Sequence, residues 1–453
     1  MEERMESGRG GGWWWGWCVY NAVFPLVFAC LLPKYLVRMW KRGGYAADFA
    51  QRFGRYRPEV AEALRGAEGA ERPVWIQAVS VGEMAVARTF MEAARRRHPG
   101  VRFVVTTNTS TAHAIAMDKI KAPDVVLYFP VDVPWVVRRV LKAMRPRALV
   151  LVENEMWPNV IRLASAAGIP VHMINGRISE HSFKGYKKLR FVTRRLLPLM
   201  GSFSVQSEGD GERLAALGAP RERIEVTGSA KYDLAATPGE ARERARRYLE
   251  WVRPGHGPVV VGGSTWPGEE ELLLDWFAEA RKTREDALLV LVPRHAERRA
   301  EVLEAIRRHG FAHVQKSVTP MPEDGASVPP PGGGAASVVL ADTTGELRGF
   351  YAAADFVFVG KSVTERGGQN PIEPAVDGRG VAVGPHMENF PAISEDFTAA
   401  KAWAQAKDGE ELKAALSRWL ANPEEAAETG RRAAELVASR AGATDRMVRR
   451  VLG

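Results

Sequence analysis

One alternation constrains this chain more than any other feature. Short apolar runs at Val74–Val79, Phe103–Thr106, Val125–Phe129, Ala148–Val152, Val171–Ile174 and Phe203–Val205 are separated by helical stretches, among them Met84–Arg97, Ala112–Lys119, Pro134–Met144 and Trp157–Ala167. Strands of this kind, each followed by a helix, predict a parallel sheet covered by helices. The stretch VTGSAK (Val226–Lys231) closes this series, and a charged helix, Pro238–Val252, leads into a second one. Its strands are expected at Val259–Gly263, Leu288–Val292, Ser337–Leu340, Phe356–Val359 and Gly380–Val383. The Pro/Gly/Ser-rich stretch from Val318 to Ala336 has no periodicity and reads as a loop. Gly409–Leu452 reads as helical, with a turn at Asn422-Pro423.

The expected architecture is therefore α/β, with two Rossmann-like domains occupying residues 39–236 and 237–453. A length of 453 residues suits two domains of about 200 residues each. The net charge of +9 and a pI near 9.5 favour an anionic partner: nucleic acid, an acidic membrane surface or an anionic substrate. No nucleic-acid motif or aromatic-basic interleaving accompanies the charge, so nucleic acid is not expected. The two cysteines, Cys18 and Cys30, lie in one apolar segment and build neither a disulfide framework nor a metal cluster, which fits a reducing compartment.

That apolar segment, Trp13–Leu32, is long enough to cross a bilayer as a helix, with tryptophans at one end suited to the headgroup region. Residues 1–38 are thus expected to be a membrane anchor. Lys34, Arg38, Lys41 and Arg42 follow it without an acidic residue, which places the large C-terminal part in the cytoplasm. Asn21 and Pro25 leave a shallow interfacial helix open as the alternative to a full span. The amphipathic stretch Gly44–Tyr56, with Arg52 and Arg55, and then Arg57, is expected to meet anionic headgroups.

Several chemistries lack their signatures. There is no H-E-x-x-H, Cys/His cluster or Asp-x-Asp triplet, no Walker A or G-x-G-x-x-G loop, and no G-x-S-x-G elbow. What remains is a set of carboxylates and cations at strand ends. Glu83 follows the first strand, Glu153 and Glu155 follow Ala148–Val152, and Lys231 follows Val226–Ser229. In the second half Ser264-Thr265, Pro293-Arg294-His295, Gly345-Glu346 and Asn370–Glu373 occupy equivalent edges. Carboxylates facing cations and helix N-termini suit transfer from an activated anionic donor to a hydroxyl: the carboxylate takes the proton, and the cations stabilise the departing phosphate. The basic run Lys184, Lys187, Lys188, Arg190, Arg194 and Arg195 is a candidate for contact with an anionic acceptor or the membrane.

Eight segments in order resemble the 3-deoxy-D-manno-octulosonic acid (Kdo) transferases, membrane-associated glycosyltransferases of lipopolysaccharide assembly. They are AVSVGE (Ala78–Glu83), ENEMWPN (Glu153–Asn159), NGRISEHSFKGY (Asn175–Tyr186), TGSAKYD (Thr227–Asp233), VPRHAER (Val292–Arg298), DTTGEL (Asp342–Leu347), GGQNPIEPA (Gly367–Ala375) and GPHMENF (Gly384–Phe390). The resemblance implies a GT-B architecture, two Rossmann-like domains facing a cleft, and inverting, metal-independent transfer of Kdo from CMP-Kdo to a lipid A precursor at the cell inner membrane, with no cofactor. It implies that Glu83 is the general base and that Glu153 and Lys231 stabilise the transition state. For CMP it points to Pro293, Arg294, Thr344, Gly345, Glu346, Asn370, Pro371, Ile372 and Glu373. Gln77, Thr344 and Gln369 depart from the usual pattern, as does TSTAH (Thr109–His113), and they bear on acceptor preference. A GT-B enzyme with a UDP-sugar donor is the alternative.

Overall fold

The computed structural model describes residues 16–26, 30, 48–67, 69–233, 237–321 and 334–453. The chain forms two compact units, Met1–Ala230 with Gly442–Gly453, and Lys231–Ala441. The sequence places the domain boundary at 236/237, whereas the compact units divide at Ala230/Lys231 and the C-terminal helix returns to the first unit.

The first unit holds seven parallel strands: β1 (Val74–Gln77), β2 (Phe103–Thr107), β3 (Val125–Tyr128), β4 (Ala148–Val152), β5 (Val171–Gly176), β6 (Ser202–Val205) and β7 (Ile224–Val226). Their order is β3-β2-β1-β4-β5-β6-β7, so the winding reverses between β1 and β4. Alternate residues supply the two faces. Trp75, Leu149, Leu151, Met173 and Phe203 join one apolar cluster, while Val74, Ile76, Phe103, Val150 and Ile174 join the other. The C-terminal helix, Ala443–Leu452, completes the second cluster through Ala443, Met447 and Val448. Arg446 fastens it by donating to the Thr227 carbonyl at 2.7 Å.

The second unit repeats the plan with β8 (Val259–Thr265), β9 (Leu288–Pro293), β10 (His313–Gln315), β11 (Val338–Leu340), β12 (Phe356–Val359), β13 (Gly380–Val383) and β14 (Ala404–Gln405). The order is β10-β11-β9-β8-β12-β13-β14, all parallel, and it reverses between β8 and β12. Both units are thus the expected helix-covered parallel sheets. Of the loop expected from Val318 to Ala336, residues 322–333 lie outside the described residues.

Most of the Trp13–Leu32 anchor also lies outside them, apart from 16–26 and 30. Among the described residues no helix is long and apolar enough to cross a membrane. Residues 16–26 are helical and dock on the first unit. Trp17 and Phe24 pack against its core, Tyr20 donates to Asp132 at 2.7 Å, and Asn159 donates to Asn21 at 2.7 Å. Arg52, expected at the membrane, is instead buried. Its guanidinium donates to the Asn108 carbonyl at 2.8 Å and stacks on Tyr128, which consumes the charge inside the fold.

Candidate active site

In parallel α/β sheets ligands gather at the carboxyl ends of strands where the winding reverses. In the first unit that point is the β1/β4 pair, and three carboxylates sit there. Ser80 caps the helix Val81–Arg97, its hydroxyl accepting from the Glu83 N–H at 3.2 Å. Glu83 closes the box: one carboxylate oxygen accepts from the Val79 N–H at 2.7 Å, the other from the Ser80 hydroxyl at 2.9 Å. Glu83 is therefore a helix-capping carboxylate, and these bonds fix the rotamer of a candidate base. Burial raises its carboxyl above the ordinary range, its hydrogen bonds pull the other way, and the charge of Glu153 adds to the rise.

Glu153 follows β4 in a left-handed conformation (φ 60°) and accepts from the Asn175 amide at 3.3 Å. Asn175, also left-handed (φ 52°), accepts the Ala230 N–H on its side chain and the Gln206 amide on its carbonyl. Glu155 accepts from the Trp157 indole at 2.6 Å. Burial first, then the charges of Glu83 and Glu153, push its carboxyl up to about 7. The sequence ranks Glu155 below Glu153 as a brace for the Trp157-Pro158 turn. The structure keeps that brace and couples Glu155 electrically to both other acids. Tyr186 joins the group, its phenol raised by burial and by Glu155.

Lys231 belongs to the second unit, in a turn at Ala230–Asp233, with its ammonium over the Phe390 ring at 4.7 Å.

Of the second unit's candidates, the structure gathers Arg294, Asn370 and Glu373. Asn370 donates to Glu373 at 3.4 Å and accepts the Ile372 N–H at 3.2 Å, ordering the chain around Pro371 into the helix Ile372–Ala375. Burial raises the Glu373 carboxyl, while Arg348, Asn370 and Arg294 oppose that rise. Arg294 follows β9, its N–H bound to the Thr265 carbonyl at 3.1 Å. Thr344 precedes Gly345 (φ 88°), and Glu346 ends this turn paired with Lys316 at 3.2 Å and bonded by Thr343. Gly345, Glu346, Lys316, Tyr248 and Arg348 line a cavity of about 450 Å³. Arg348 thus borders both groups.

Sequence reasoning missed Tyr351 and Glu269. Tyr351 is buried and hydrogen-bonded to Ser264, its hydroxyl filling the space a Cβ on Gly263 would occupy. Only the absent side chain in that Gly-Gly-Ser run hints at such an approach. Glu269, one of three consecutive glutamates, looks like a solvated charge yet is fully buried.

Residues 47–234 match the family described as 3-Deoxy-D-manno-octulosonic-acid transferase (kdotransferase). A Bordetella pertussis 3-deoxy-D-manno-octulosonic acid transferase is 32% identical over 94% of this chain and 97% of its own. The chain belongs to the Kdo transferase family. It is accordingly a glycosyltransferase. The Haemophilus influenzae enzyme of the same name is 30% identical over 75% of this chain and 78% of its own. A Fusobacterium nucleatum bifunctional glycosyltransferase/methyltransferase is 31% identical, and this chain spans about half of its length (52%). Among solved structures, Anabaena HepE in complex with UDP covers 83% of this chain (98% of its own) with a TM-score of 0.53 at 14% identity. The UDP-GlcNAc 2-epimerase of Neisseria meningitidis covers 82% (99% of its own) at 0.51 and 10%. Those two likenesses are of fold alone and agree with two parallel-sheet α/β units.

Proposed function

We propose that this Kdo transferase moves Kdo from CMP-Kdo to a lipid A precursor by a single inverting displacement on a GT-B framework. The acceptor hydroxyl oxygen bonds to the anomeric carbon, the bond from that carbon to the phosphate oxygen breaks, and CMP departs. The hydroxyl proton passes to Glu83. The observation that carries this reading is the Glu83 carboxylate, held by Val79 and Ser80 at the β1/β4 reversal with its proton affinity raised by burial and Glu153. A base poised nearer neutrality accepts a hydroxyl proton more readily than an ordinary carboxylate. Glu153 and Lys231 stabilise the transition state. Pro293, Arg294, Thr344–Glu346 and Asn370–Glu373 hold the CMP moiety, and no metal takes part.

In this reading the reaction runs at the cytoplasmic face of the inner membrane. Val19, Val23 and Leu26 share the exposed side of the docked N-terminal helix, and Trp135, Leu189 and Phe191 are exposed elsewhere on the same unit. Leu189 and Phe191 lie within the Lys184–Arg195 basic run, a combination suited to an anionic lipid surface.

Incubation of purified protein with CMP-Kdo and a lipid A precursor tests the reading by product mass. Wild type is expected to add Kdo in the presence of EDTA, and Glu83→Gln to lose about 100-fold or more of that rate while staying folded. Turnover of a UDP-sugar without Kdo incorporation refutes the donor; full activity of Glu83→Gln refutes the base.

A further inference from the structure

In the second unit the winding reverses between β8 and β12, and the loop leaving β12 begins Gly360-Lys361-Ser362-Val363. Lys361 is left-handed (φ 58°), a conformation that costs a residue with a Cβ and persists only where its surroundings enforce it. The enforcement is visible. The buried carboxylate of Glu269 accepts the N–H groups of Lys361 at 2.8 Å, Ser362 at 2.9 Å and Val363 at 3.0 Å, and that of Trp266 at 2.9 Å. The Lys361 carbonyl accepts the Gly368 N–H at 2.8 Å. One carboxylate thus ties the loop after β8 to the loop after β12.

The side chain so presented ends in an ammonium over the Trp266 ring, 4.6 Å from its centroid. Among the described residues it makes no ion pair. Trp266 in turn meets the ring of His295, the residue after Arg294, at 5.5 Å. Its indole N–H is buried without an acceptor among the described residues. A strained backbone, a cation held on an aromatic face and a buried unspent donor therefore share one strand edge with Arg294 and Ser264.

We propose that Lys361 is a donor-binding residue, its ammonium moving from the Trp266 face to an anionic group of the nucleotide-activated acid sugar, with Glu269 as its positioning residue. The proposal rests on the CMP-Kdo reading above. That donor offers two anions, phosphate and carboxylate, and binding assays separate them: CMP carries only the phosphate, free Kdo only the carboxylate.

Lys361→Gly is the decisive variant, because glycine accepts φ 58° without strain and the loop keeps its Glu269 bonds. We expect a melting temperature equal to or above that of wild type, together with a roughly tenfold rise in the KM for CMP-Kdo that Lys361→Arg largely restores. A matching loss of CMP affinity assigns the contact to the phosphate; unchanged CMP affinity with weaker competition by Kdo assigns it to the carboxylate. Unchanged KM for Lys361→Gly, beside an active wild type, overturns the proposal alone. A wild type that neither binds CMP nor turns over CMP-Kdo overturns the donor reading and this proposal together.

Discussion

Glu155 carries a charge that the first unit holds at a cost, and removing it has a calculable signature. The Glu155 carboxyl is pushed from an ordinary 4.5 up to about 7, by burial first and then by Glu83 and Glu153. A raised carboxyl means that the native state keeps its proton after the unfolded chain has lost it. Stability therefore falls as pH rises from about 4.5 to about 7 and stays low above that. Each pH unit inside the window is worth about 1.4 kcal/mol. Glu155→Gln keeps an oxygen to accept from the Trp157 indole and has nothing to titrate. Between pH 5.5 and 8.5 its advantage over wild type should grow by about 2 kcal/mol, the change ending near pH 7. For a domain of this size that is about 4–8 °C in melting temperature. Calorimetry of both proteins at the two pH values, following the first unit's transition, measures it. A melting difference that is the same at both pH values refutes the coupling.

Two further outcomes follow from individual contacts. Arg294→Ala should weaken CMP binding by about 10- to 100-fold, the loss of a charge-assisted contact worth about 1.5–3 kcal/mol, and titration calorimetry reads it directly. Asp132→Ala should lower the first unit's stability by about 2–4 kcal/mol in urea unfolding. It strands the Asn159 and Val160 N–H groups and the Tyr20 hydroxyl, and should speed proteolysis within residues 16–26.

The fold was legible where strands are buried on both faces, because such strands read as nearly unbroken apolar runs. The edges were not. β7 (IEV), β10 (HVQ) and β14 (AQ) are short, partly exposed and polar enough to pass for loop. The helix Ala443–Leu452 announces an apolar face through Met447 and Val448, but amphipathicity says only that a face must be covered, not by which unit. In the candidate site the acids Glu83, Glu153 and Glu155 were readable from their places after strands. Their coupling was not, since it depends on β1 and β4 being neighbours despite two intervening strands. Glu269 was invisible for a similar reason: nothing in its glutamate run says that four N–H groups converge on one of the three.

Backbone strain ties these observations together. Among the described residues six non-glycine residues have positive φ, and four of them, Glu153, Asn175, Ser264 and Lys361, lie at carboxyl ends of strands. Each such conformation costs on the order of 1–3 kcal/mol and needs its surroundings to hold it. Here the holders are identifiable: the Ile174 carbonyl for Glu153, the Ala230 and Gln206 bonds for Asn175, Tyr351 for Ser264, and Glu269 for Lys361. The apolar faces of the two sheets supply the stability that this strain consumes. Strain placed at random would not favour the strand ends where the winding of each sheet reverses, yet Glu153 (after β4), Ser264 (in β8) and Lys361 (after β12) stand there, and Asn175 ends β5 beside β4. Its concentration there, beside the coupled acids in one unit and Arg294 in the other, separates chemistry from scaffold in this chain.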